Sequence, residues 1–198
     1  PHNDIYFQKQ LEAVGNYYVN VSDSNLLYTA KIIENPDVDD GYYTVSHEME
    51  YYAKSDNLLA QFFTEVVVSA KVDIELYLTV NNFLPNDVVF VVFHAGLSQD
   101  FSYPSLDPTI YDLKSAYIDE EMMTGVTPAV ISGDTIMTGI LLPETQNIIY
   151  YDVAEDIFGN PDYGTDNLCD IQIGLTGIFA LNLGYELGLP PMFNSKTG

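Results

Sequence analysis

Residues 177–198 run GIFALNLGYELGLPPMFNSKTG, and their pattern decides what the rest of the chain has to supply. Ile178, Phe179, Ala180, Leu181, Leu183 and Leu187 place apolar groups around nearly the whole circumference of a helix, and a helix that is apolar all round is a buried one. Gly188 followed by Leu189, Pro190 and Pro191 marks the stop, because glycine adopts a left-handed cap and the prolines prevent continuation. The acidic segment YYDVAEDIFGNPDYGTDNLCD, residues 150–170, reads as a loop leading into this helix, which is expected over roughly 167–187.

Working outward, NDVVFVVFHAG at 86–96 is a near-continuous apolar run opened by a turn signal and closed by glycine. That is the pattern of a strand buried on both faces and central in a sheet. DNLLAQFFTEVVVSAKVDIELYLTV at 56–80 keeps an apolar face without Pro or Gly, which predicts one long helix with Asp56 near its cap. Ile5, Leu11, Val14 and Tyr18 fall near helical spacing, so a first helix begins at Asn3 or Asp4. NLLYTAKIIE at 25–34 is β-branched and aromatic enough for a strand, closed by Pro36 and Gly41. Shorter strands are expected in KSAYID, TPAVIS and TIMTGILLPE, between 114 and 144, toward the sheet's edge. No repeat or long linker divides the chain. The expected architecture is α/β, a single domain over 1–198 with long helices packed on a mixed β-sheet.

Composition narrows the function classes. The chain has 198 residues, 47% of them hydrophobic, enough for one sizeable core. Six lysines, no arginine and 29 acidic residues give a formal charge of −23, which repels phosphate backbones and anionic lipid. Nucleic acid is therefore excluded as a partner. No signal peptide and no long uninterrupted apolar span is visible, so membrane insertion is not expected. Cys169, the single cysteine, forms no intrachain disulfide and reads as a small apolar residue.

Two local signatures carry a resemblance. DVVFVVFHAGLSQD resembles a strand that ends in a His-Ala-Gly turn before a polar loop in the immune inhibitor A-like family of secreted zinc metallopeptidases. GIFALNLGYELGLPPMFNSKTG is similar to that family's active-site helix and exit turn, where H-E-x-x-H-x-x-G-L-P-D is usual. The similarity spans most of the chain, and its implications are a zincin-like fold, a buried active-site-type helix near the C-terminus, and an extracellular or cell-surface location. On that register the first metal-binding histidine falls on Leu181, the catalytic glutamate on Asn182, the second histidine on Tyr185 and the acidic residue on Pro191. Gly184, Gly188, Leu189 and Pro190 match the framework. The resemblance also implies that the family's domain continues past Gly198, with further active-site wall, so the chain is expected to be part of a longer secreted protein.

The substitutions remove the chemistry. Side chains at i and i+4 share a helix face, so two imidazoles there can grip one zinc ion. Leucine has no lone pair, and a phenol with a pKa near 10 is a poor first ligand. The glutamate takes a proton from metal-bound water, whereas Asn182 cannot take up a proton at neutral pH. Leu181 and Tyr185 are instead expected to fill the space of the metal and its water. The expected function is thus a proteolytically inactive metallopeptidase-like scaffold or binding module, without zinc, for a protein, peptide or glycan ligand.

Other constellations define the alternatives. HEMEY at 47–51 begins like a zincin motif but places Tyr51 where the second histidine is needed, leaving His47 an ordinary surface histidine. His94, at a strand end, is a candidate cleft residue together with Tyr185. An active metallohydrolase with a relocated site would use His94 or His47 with carboxylates. Ser98, Ser102 and Ser105 lack a G-x-S-x-G elbow. Asp152, Asp156, Asp162, Asp166 and Asp170 lie between glycines and prolines and form a candidate calcium site, although not with EF-hand spacing. A calcium-stabilised adhesion or assembly module is the third reading.

Overall fold

The computed structural model describes residues 2–101, 111–146, 148–151, 154–155, 161–162, 168–171 and 174–190. The first helix, α1, spans Asp4–Val21; Asn3 caps it, its side-chain oxygen accepting from the Tyr6 amide at 3.1 Å. Phe7, Leu11, Val14 and Tyr18 form its buried stripe, while Ile5, expected on that face, is exposed. A short helix α2, Met49–Tyr52, leads to α3, Asp56–Ser69, and α4, Lys71–Asn81. Ser55 caps α3, with Asp56 in its first turn.

The single long helix expected over 56–80 is thus two, separated at Ala70. The break follows the Val66–Val68 run, whose branched side chains have low helix preference. At the break the Ala70 amide still donates to Val66 and the Ile74 amide to Ala70, both at 2.9 Å.

Strands β1 (Val91–Leu97), β2 (Ala116–Ile118), β3 (Ala129–Ile131), β4 (Asp134–Ile136) and β5 (Gly139–Thr145) follow. The main sheet has the order β1-β5-β2, with β1 parallel and β2 antiparallel to β5. β3 and β4 form a hairpin through Ser132 and Gly133, both at positive φ as a tight two-residue turn requires. The central strand is therefore β5, not the 86–96 run, which lies at the edge. β5 is buried from Gly139 through Glu144 because cores lie on both of its faces.

Leu141, Val92 and Ile118 point to one core with Tyr52, Leu59, Phe62, Phe63 and Val67 from the helices α2 and α3. Ile140 and Leu142 point to the other with Leu11, Val14 and Tyr18 of α1 and with Phe179 and Leu183 near the C-terminus. The chain is a mixed α/β protein with helices on both faces of a small sheet. Gly139 sits where only glycine fits: an added Cβ would lie 2.2 Å from the Phe63 ring.

Residues 25–35 carry no strand pairing, contrary to the strand expected at 25–34. Their side chains do alternate, Leu26, Tyr28, Ala30 and Ile32 packing on the second core. Period two is present, but the segment lies as an extended cover rather than as a ladder partner. A cavity of about 1760 Å³ is lined by this segment and its continuation to Val45, by α4, and by Val89–Ala95 along the β1 edge.

Beyond β5, the expected acidic loop contains short strands β6 (Ile148–Tyr151), β7 (Ala154–Glu155), β8 (Pro161–Asp162) and β9 (Leu168–Ile171). β6 pairs with β9 and β7 with β8, both antiparallel. The last helix, α5, is Thr176–Glu186. Its first turns were expected from 167, but 168–171 is the strand β9, where each residue stands opposite one of β6.

Candidate functional site

Helix α5 is fixed on the sheet by Phe179 and Leu183 and tied to α1 by the Tyr18 hydroxyl, which donates to the Ala180 carbonyl at 2.7 Å. Gly184 permits that approach: a Cβ there would stand 3.0 Å from the Tyr18 hydroxyl oxygen. The stop forms as expected. Gly188, at φ +80°, donates to the Tyr185 carbonyl, and the Leu189 amide donates to Gly184, both at 2.9 Å. These are the paired bonds of a Schellman cap. Pro191 lies outside the described residues.

The motif positions divide between two faces of α5. Leu181 was expected to fill a core and is instead 39% exposed, because the sheet contacts are taken by Phe179 and Leu183 on the other side. Asn182 is the buried one, and its side-chain amide donates to the Ile178 carbonyl at 2.8 Å, one turn back in its own helix. Tyr185 is half-buried against Tyr117 of β2, ring centroids 6.1 Å apart. Beside them, the Thr138 hydroxyl donates to Glu186 Oε1 at 3.1 Å. Burial raises the Tyr117 phenol, and the charge of Glu186 and a hydrogen bond to it raise it further. Leu181, Tyr185, Tyr117 and Glu186 thus make an aromatic and apolar face with one carboxylate, where α5 meets the β2 edge.

A second polar group lies at the C-terminal ends of the parallel strands β1 and β5. His94 is buried, its Nδ1 2.9 Å from the Ala95 carbonyl and its ring edge-on to Phe62. Its Nε2 is buried with no partner. Burial pushes the imidazole down to about 4, against the opposite pull of the Ala95 carbonyl, Asp100 and Glu144. Burial alone would raise the Glu144 carboxyl, but the amides of His2 and Gly96 and the His2 ring outweigh it and hold it below its usual range. The His2 ring Nδ1 lies 2.8 Å from Glu144 Oε1. Gln146 donates to Asp100 at 2.9 Å and to the Ser115 hydroxyl at 3.3 Å, and the Ser115 amide donates to Asp100 at 2.9 Å. The burial of Glu144 and Gln146 in this network was not anticipated from sequence; the one available signal was polar residues directly following the apolar run GILLP.

His94 and Tyr185 were expected to share a cleft. The structure packs His94 on Phe62 and Tyr185 on Tyr117, and no described ring contact or hydrogen bond joins the two. His47 is exposed and stacked on Tyr51 at 4.0 Å, ahead of the short α2 rather than on a zinc-type helix. Among the expected calcium ligands, Asp152, Asp156 and Asp166 lie outside the described residues. Asp162 stands in β8 opposite Ala154, and Asp170 in β9 opposite Ile149, on separate ladders. Among the described residues, no group of three or more His, Cys, Asp or Glu is placed to hold a metal ion. No described helix is long and apolar enough to cross a membrane. No family model, curated protein or solved structure matches the chain.

Proposed function

We propose that this chain is a metallopeptidase-like domain without peptidase activity, serving as an extracellular scaffold or binding module. One observation carries the reading. The helix positions that the zincin motif reserves for two zinc ligands and a base hold Leu181, Tyr185 and Asn182, and the Asn182 amide is spent on its own helix backbone. A side chain that neither binds metal nor accepts a proton cannot activate water. The framework around it is retained: Gly184 lets α1 close on α5, and Gly188 turns the chain out at the helix end. What remains at the mouth of the helix is the face of Leu181, Tyr185, Tyr117 and Glu186, which suits an extended peptide or another protein better than a reacting bond. Aromatic rings supply contact area at low entropic cost, as binding surfaces require. The test is cleavage of casein and gelatin by purified protein supplemented with zinc. No cleavage above a buffer control is expected, and chelator-sensitive cleavage that survives repurification would overturn the proposal.

A further inference from the structure

The helices α3 and α4 are apolar on two sides. Val67, Ala70, Ile74 and Leu78 face the core and are buried. Val68, Val72, Leu76 and Val80 recur every fourth residue and are 51%, 76%, 61% and 73% exposed. Residues four apart lie above one another on a helix, so Val72, Leu76 and Val80 form a row about 12 Å long on α4, with Val68 at the end of α3 just before it. Leu84, 64% exposed, stands just beyond its end. Scattered apolar residues on a surface are ordinary, whereas exposed apolar residues aligned along one helix face offer a continuous contact surface.

The row borders an acid-rimmed groove. Leu76, Val80 and Val38 line it, together with the carboxylates of Glu34, Asp39, Asp40 and Asp73 and a single lysine, Lys31. The Tyr43 hydroxyl donates to Asp73 at 2.8 Å, fixing that carboxylate at the groove. Lys71, the nearest cation on α4, is already engaged by Glu75 at 3.3 Å. We propose that this outer face of α3 and α4 docks a basic amphipathic helix of another protein. Its apolar stripe would lie along Val68, Val72, Leu76 and Val80, and its lysines or arginines would reach the acidic rim. The charge selects this occupant over a second copy, since two chains of formal charge −23 would bring like-charged rims together.

The probe is a fluorescently labelled leucine–lysine peptide of about 18 residues with its leucines on one helical stripe. Its control is an isomer of identical composition with the leucines dispersed around the helix, so that bulk attraction to the acidic protein is the same. By fluorescence anisotropy at near-physiological salt, the striped peptide should bind at least about tenfold more tightly than the isomer. The double variant Val72→Asn, Leu76→Asn, which leaves the net charge unchanged, should lose at least about tenfold of that affinity. Equal binding of the two peptides to the wild type overturns the proposal, whatever the variant does. Equal binding of the striped peptide to wild type and variant also overturns it. So does a wild-type dimer in sedimentation equilibrium that the variant dissociates, because the occupant is then a second copy.

Discussion

Acid should unfold this protein through one histidine before its carboxylates contribute. His94 is held down to about 4 from an ordinary 6.5 because its imidazole is buried, with Nε2 facing no acceptor. Between those values the unfolded chain binds a proton at this residue that the folded chain refuses. Stability is therefore fully present above pH 6.5 and is lost as pH falls toward 4. A shift of this size corresponds to roughly 3 kcal/mol, lost at up to about 1.4 kcal/mol per pH unit. Carboxylates depressed in the fold, such as Glu144 and Glu65, lose their contribution only below their ordinary 4.5. Between pH 6.5 and 4.5 these carboxylates therefore contribute little, and replacing His94 separates it from His2 and His47. The assay is urea unfolding at half-unit steps across that interval for wild type and His94→Asn, which keeps a donor near the Ala95 carbonyl. The wild type should lose roughly 2–3 kcal/mol and the variant much less, whatever its stability at pH 7.5. A wild-type curve flat from pH 6.5 to 4.5, or an equal slope in the variant, would refute the buried neutral imidazole.

Two substitutions test the geometry around the sheet and α5. Gly139→Ala forces a Cβ into the Phe63 ring and should cost about 1–3 kcal/mol in denaturant unfolding, with Phe63→Leu in the same background recovering part of the loss. Gly188→Ala strains the left-handed residue that closes α5 and should cost about 1 kcal/mol, read as a lowered melting temperature.

How far the sequence carried depended on whether a feature is local. The α1 cap at Asn3 and the α5 stop at Gly188 are local chemistry, and both stand where the residues indicated. The ranking of strands is not local: the 86–96 run is more continuously apolar than GILLPE, yet β5 is the centre because β1 and β2 pair on either side of it. The β-branched and aromatic content of 25–34 suggested a strand, but composition could not supply the segment with a ladder partner, and it lies unpaired. Over 56–80 the apolar periodicity indicated helix but neither the break at Ala70 nor the outward-facing row, because both depend on packing against the sheet. At α5 the apolar pattern of the helix was legible residue by residue. The inversion of Leu181 and Asn182, one outward and one inward, was not, because it depends on how the helix is rotated against α1 and the sheet.

Metal stoichiometry decides whether α5 holds zinc. Elemental analysis by mass spectrometry should be made on protein dialysed against excess zinc and then passed through a desalting column. Zinc is expected well below one ion per chain, unchanged in the variant Leu181→Ala, Tyr185→Ala. One zinc per chain in the wild type, lost in that variant, would contradict this expectation.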